Sequence, residues 1–212
     1  MFTEVHDIGR YEFLRQAAYH LGAVDARIIH TGDIIIEDRV TRKCRSGCMG
    51  YGNKLTCPPF VPTAEEFRTS ISGYHTALMI KFASHEDTSD EIIDVIKREW
   101  TGPENPAELQ DELKNLWDHH FNKSTRTLFA MLELERYAIE AGFTKARAYV
   151  NSSCRLCEVC NIETKTCRHP GISRVPGHAV GINMKKTAVS NGIELKHPSE
   201  GGIEPLTLLF ID

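Results

Sequence analysis

All seven cysteines of this chain fall in two short blocks: Cys44, Cys48 and Cys57, then Cys154, Cys157, Cys160 and Cys167. Any fold this sequence adopts has to hold both blocks in a usable geometry. Cysteines that serve as small hydrophobes are scattered through helices and strands. These stand instead among Gly, Pro, Asn and Arg, in turn-forming sequence. Seven is an odd number, so disulfides cannot absorb them all. The N-terminal MFTEVHDIGRYEFLRQ lacks the basic start and apolar run of a signal peptide. No stretch approaches the ~20 apolar residues of a membrane span. The expected compartment is therefore the cytoplasm, where disulfides are rare. With 25 Lys and Arg against 29 Asp and Glu the net charge is −4, which gives no electrostatic case for nucleic acid or a membrane surface. The blocks read as metal-binding thiolates.

The second block, CRLCEVCNIETKTC, has the spacing C-x2-C-x2-C-x6-C and is followed by Arg168-His169-Pro170. A C-x2-C pair turns two sulfurs into one concavity. A third cysteine at the same interval makes a tripod, and Cys167 closes the site. The run is close to the C-x2-C-x2-C-x3-C-P of bacterial ferredoxins and points to a [4Fe–4S] cluster. Zinc is the alternative, but structural zinc sites pair two C-x2-C or C/H knuckles a dozen or more residues apart, which three evenly spaced cysteines fit poorly.

The first block is C-x3-C-x8-C before Pro58-Pro59. Three thiolates are one short of a closed site. The options are a second cubane with an exchangeable or non-cysteine fourth ligand, a zinc with three cysteines and a histidine, or a cysteine shared from the second block. Gly47, Gly50 and Gly52 suit a chain that turns tightly and aims N–H groups at an anionic cluster, or they simply make turns.

CRSGCMGYGNKLTCPPF, followed by CRLCEVCNIETKTCRHPGISRVPGHAVGINM, resembles the uncharacterised family of predicted metal-binding proteins, a domain of unknown function frequent in anaerobic archaea and bacteria. The family pattern is a three-cysteine block with Tyr-Gly and Cys-Pro-Pro, then C-x2-C-x2-C closed by Cys-Arg-x-Pro. Here these are Cys44, Cys48, Tyr51-Gly52 and Cys57-Pro58-Pro59, then Cys154, Cys157, Cys160 and Cys167-Arg168-His169-Pro170. The chain departs from it at Arg174-Val175-Pro176-Gly177, where the family often has Arg-Pro-Ser. The resemblance implies metal and anaerobic metabolism, and it supplies no reaction.

Around the blocks the pattern alternates loosely between helix and strand. Helical periodicity covers 10–21, with Gly22 as the stop. Residues 26–31, 33–37, 75–84, 145–153 and 206–212 read as extended. Thr63 with Glu66 is a capping box for a helix through about Ser72, and Thr88 with Glu91 is a second. Asn105-Pro106 opens one long helix or two stacked ones that end at Ala141 before Gly142, and 178–191 reads as a helix. Leu128, Leu132, Leu134 and Ala138 are core. The expectation is an α/β or α+β sandwich: one domain over 1–212 with a central sheet, helices packed on it, cysteine-rich cluster-binding loops, and a helical insert over about 88–141.

Other candidates are weaker. His119 and His120 are adjacent on a helix and do not share a face. His75, His85, His169, His178 and His197 are isolated, and His169, two past Cys167, is a candidate ligand or hydrogen-bond donor to a sulfur. Lys54, Arg155, Arg168 and Arg174 either offset cluster charge or are ordinary surface charge. No Ser/His/Asp arrangement, phosphate loop or dinucleotide fingerprint is present. Three function classes follow: a single-electron carrier for a redox partner protein, an iron–sulfur enzyme (lyase or oxidoreductase) binding a small molecule at an open iron, or a zinc-stabilised interaction module. The oligomeric state stays open.

Overall fold

The computed structural model describes residues 8–83, 125–196 and 204–212. Four strands, β1 (Ala23–His30), β2 (Thr76–Phe82), β3 (Arg147–Tyr149) and β4 (Leu206–Phe210), form one sheet in the order β1-β2-β4-β3. Every neighbouring pair is antiparallel, so the architecture is α+β. The central strands, TALMIKF and LTLLF, are almost wholly apolar because both faces of the sheet are covered. Alternate residues divide between two cores. Leu78, Ile80 and Leu209 face one core. Ala77, Met79, Leu208 and Phe210 face the other.

Helices supply the covering layers. Helix α1 (Glu12–His20) follows a 3₁₀ turn and sends Leu14 and Ala18 into the first core. Helix α4, residues 125–140, adds Leu128, Met131, Leu134 and Ala138 from one stripe at helical spacing. Helices α3 (Ala64–Ser70) and α5 (Met184–Ser190) cover the opposite face through Phe67 and Ala188. The Thr63–Glu66 capping box is formed: Glu66 N–H donates to Thr63 Oγ1 at 3.3 Å, and Thr63 N–H donates to Glu66 Oε2 at 2.8 Å. Gly142, at φ +97, turns the chain after α4.

Several elements differ from expectation, each for a local reason. Helix α2 (Asp38–Arg45, DRVTRKCR) carries almost no apolar residues, so it left no stripe to read; it places Cys44 in a helix rather than a loop. Residues 33–37 are not a strand. Thr31–Asp33 is a 3₁₀ turn capped by the His30 ring, which accepts from Gly32 N–H at 2.9 Å, and Ile36 makes only an isolated bridge to Ile182. The 178–191 helix is split: a 3₁₀ turn, Gly177–Val180, ends at Gly181 (φ +91) before Asn183 caps α5. β3 is short because Val150 already pairs with the returning chain at Pro176. The Thr88–Glu91 box, the Asn105 start, His85, His119, His120 and His197 lie outside the described residues, as does the expected insert before residue 125. Among the described residues, no helix is long and apolar enough to cross a membrane.

Candidate metal centre

The second block is an excursion from the sheet edge. It leaves after Val150 and returns beside it: Val150 N–H donates to Val175 O at 3.1 Å and Gly177 N–H to Val150 O at 3.0 Å. Inside this neck lies a buried ion pair. Arg174 (6 % exposed) and Glu135 (5 % exposed) meet through two contacts, Nη2 to Oε1 at 2.5 Å and Nε to Oε2 at 2.9 Å. Glu135 also accepts from Ala148 N–H at 2.8 Å, and Arg174 Nη1 donates to Gly171 O and Ser173 O at 3.1 and 2.9 Å. Arg174 is thus not a surface charge: it lines a small cavity with Cys154, and its guanidinium is spent on Glu135 and on the loop backbone. It fastens the end of the loop to α4 and β3.

Cys154, Cys157, Cys160 and Cys167 line one cavity of about 20 Å³ together with Lys54, Leu55 and Thr56 of the first block. The contacts are direct. Leu55 N–H donates to Cys160 Sγ at 3.4 Å, and Lys54 Nζ donates to Cys157 O at 3.1 Å. His169 reaches Cys167 Sγ through its backbone N–H at 3.4 Å, and Arg168 is spent on Val159 O at 2.8 Å. The cavity lining holds basic side chains and no carboxylate, a charge balance that suits an anionic group.

The first block is built differently. Cys44 ends α2, and Cys48 and Cys57 come from the turns after it. A Cβ placed on Gly50 would stand 3.0 Å from Cys57 Sγ, 3.7 Å from Cys48 Sγ and 3.3 Å from Ser153 Cβ. Gly50 is therefore required by close approach. Gly47 and Gly52 differ from it: they turn the chain at φ +121 and +68. Burial, with Cys48 adding to it, pushes the Cys57 thiol up to about 12. Burial also raises the Cys44 and Cys154 thiols. None of the seven cysteines is joined in a disulfide. Among the described residues, no three Cys, His, Asp or Glu side chains converge closely enough to hold a single metal ion.

Two buried side-chain oxygens among the described residues have no hydrogen-bond partner, Thr56 Oγ1 and Asn151 Oδ1. Such atoms are costly, on the order of 1–3 kcal/mol each, unless something satisfies them. Thr56 belongs to the first block's chain and lines the second block's cavity. Asn151 lies at the root of the second block and lines a larger cavity beside Cys44 and Cys48. Sequence gave no sign of either residue, nor of Glu135, because an ordinary Thr, Asn or Glu declares its role only through what the fold puts opposite it.

The donor set fits an iron–sulfur cluster in chemistry and charge: four thiols about one space, an unsatisfied hydroxyl beside them, backbone N–H groups on two sulfurs and Lys54 nearby. No curated protein and no solved structure matches the chain. Residues 27–211 match the model of one family, described as predicted metal-binding proteins. The paired cysteine blocks, brought to one seam by the fold, are what this match spans, and the chain belongs to the DUF2284 family of predicted metal-binding proteins.

Proposed function

We propose that the chain is an iron–sulfur protein with two [4Fe–4S] sites: Cys154, Cys157, Cys160 and Cys167 hold one cluster, and Cys44, Cys48 and Cys57 hold another with one iron not ligated by cysteine. The observation that carries this reading is the interlock of the blocks, with Lys54, Leu55 and Thr56 of one forming part of the wall around the four thiols of the other. When bound, a four-cysteine cluster supplies one-electron redox chemistry, and an iron with three thiolates supplies a Lewis acid. The protein's own part is to bind, to exclude water and to set charge. Leu55 and His169 donate N–H groups to sulfurs, Thr56 offers a hydroxyl, Lys54 offsets negative charge, and burial of Cys44 and Cys57 keeps solvent from the first site. Zinc is the alternative, held by the same thiolates as a stabilising ion without turnover. The reading fits redox or small-molecule chemistry in anaerobic metabolism.

The test is anaerobic purification followed by metal and acid-labile sulfide analysis. The expected result is a brown protein with about eight irons and matching sulfide, as two cubanes require. Cys157→Ala is expected to lose about half and Cys48→Ala to change the other half. A colourless anaerobic preparation with stoichiometric zinc and no sulfide defeats the proposal.

A further inference from the structure

A cavity of about 600 Å³ adjoins the first block, with Cys44 and Cys48 in its wall. Cys57 stands next to them: one point beside Gly50 lies 3.0 Å from Cys57 Sγ and 3.7 Å from Cys48 Sγ. Three thiolates leave a metal site one donor short, and the same wall carries the candidates. Its oxygen and nitrogen donors able to ligate a metal are Glu204, Asn183, Asn151 and His178.

Three of these are spent or closed. Glu204 is paired with Lys81 at 3.2 Å and accepts from Lys196 N–H at 3.0 Å. Asn183 donates to Glu37 at 2.7 Å and accepts from Lys186 N–H at 3.1 Å. Asn151 Oδ1 is sealed from the cavity. His178 differs. Among the described residues its half-buried imidazole has no hydrogen-bond partner. Burial lowers its pKa and keeps the ring neutral, the form in which histidine ligates a metal. A ring with both nitrogens unspent, in a wall shared with two thiols, calls for a partner.

The fold brings this ring to the thiols. His178 lies in the 3₁₀ turn Gly177–Val180, which packs on α2, the helix that carries Cys44. Gly177 N–H donates to Val150 O at 3.0 Å, and Gly181 N–H donates to His178 O at 3.2 Å. A Cβ on Gly177 would meet Met184 Sδ at 2.6 Å, and one on Gly181 would meet Ala64 Cβ at 2.7 Å. Both ends of the turn are therefore packed against neighbours.

We propose that His178 is the non-cysteine ligand of the first site and completes the donor set of Cys44, Cys48 and Cys57. The assignment rests on the function proposed above and names the ligand that the cysteines do not supply. Imidazole carries no charge and leaves an iron more readily than a thiolate, so the site stays exchangeable. Histidine in place of cysteine also raises a cluster's potential.

The experiment is pulsed electron paramagnetic resonance on the reduced, anaerobically purified full chain, grown with histidine labelled with nitrogen-15. Iron and sulfide are measured in each sample. One cluster signal is expected to carry the hyperfine splitting of a directly bound labelled nitrogen. His178→Cys keeps four donors, so iron content is retained while the splitting is lost and the potential of that cluster falls. A histidine that only supports the fold would produce neither change. His169→Ala, at the four-thiol cavity, leaves the splitting unchanged. Iron-loaded protein with no coupled nitrogen overturns the proposal, as does a splitting that survives in His178→Cys. If the protein holds zinc and no sulfide, X-ray absorption at the zinc edge decides, on Cys157→Ala protein so that only the first block is filled. A shell of three sulfurs and one nitrogen, becoming four sulfurs when His178→Cys is added, supports the ligand and removes the cluster reading. A shell without nitrogen overturns the ligand as well.

Discussion

The two thiol groups are held by opposite means. The first is set into the body of the fold: Cys44 ends a helix, Cys57 is 4 % exposed, and a cavity of about 600 Å³ opens beside it. The second hangs from the sheet edge on a closed neck, its four sulfurs are half-buried, and they ring a space of about 20 Å³. A thiol group with two of its three cysteines buried, beside a large cavity, suits binding of a small molecule. One that is partly exposed on a loop suits exchange of electrons with a partner. The division of labour proposed above follows from this contrast, and the contrast can be broken.

The largest expected effect falls on the neck of the second block. Removing one member of a buried ion pair strands the other, at about 3–5 kcal/mol. Arg174→Ala is therefore expected to lower unfolding stability by that amount in urea titrations and to make 154–177 sensitive to protease, while the sheet persists. Arg174→Met combined with Glu135→Leu recovers much of the loss, since two apolar residues leave no bare charge. If Arg174→Ala alone costs nothing measurable, the neck does not depend on this pair.

Next comes thiol reactivity after chelator treatment. With its thiol pushed up to about 12, Cys57 holds at pH 8 on the order of 10³-fold less thiolate than a free cysteine near 8.5. Mass mapping of iodoacetamide adducts should find Cys57 the slowest and the second-block thiols well ahead. Equal labelling of both blocks erases the distinction between a dry site and a wet one.

A smaller effect separates two glycines. Gly50→Ala pushes a methyl group to 3.0 Å from Cys57 Sγ and 3.3 Å from Ser153, an overpacking worth about 1–3 kcal/mol. Gly171→Ala, in the tail of the second block, meets nothing within 4 Å and should be near neutral. Thermal melts of the two variants decide it, and a neutral Gly50→Ala means the blocks do not meet tightly there.

What the sequence made legible follows the range of each interaction. The Thr63–Glu66 box and the turn at Gly142 are local, so residue types alone announced them. The two-sided burial of β2 and β4 was visible as continuous apolar runs. Their antiparallel order was not, because pairing partners are chosen by the whole chain. The cysteine spacing exposed both blocks. Their interlock through Lys54, Leu55 and Thr56 depends on contacts more than a hundred residues apart in sequence. Helix α2 was missed because its sequence is polar and its support comes from long-range partners at Glu37.

Those partners set the smallest effect, which also sharpens the comparison. The Glu37 carboxylate precedes α2 and is shared by Arg39 at 2.9 Å, Lys186 at 2.9 Å and Asn183 Nδ2 at 2.7 Å. Arg39, then Lys186 and Asn183, pull its pKa down to about 2 from an ordinary 4.5. A carboxyl whose folded value is depressed contributes its full stabilisation above the unfolded value and loses it as pH falls through the folded one. The window is therefore about 4.5 down to 2. Glu37 ties α2 to α5, and Cys44 rides at the far end of α2, so loosening this tie reaches the first block and not the neck of the second. Amide exchange, corrected for intrinsic rates, should quicken over 38–45 as pH falls through that window while Val150 and Gly177 keep their protection. Glu37→Gln should show the loosened α2 already at neutral pH, with no further change in the window. Should α2 exchange be the same in Glu37→Gln and wild type at every pH, this carboxylate does not fasten the helix. The first block would then be held in place by burial of Cys44 and Cys57 alone.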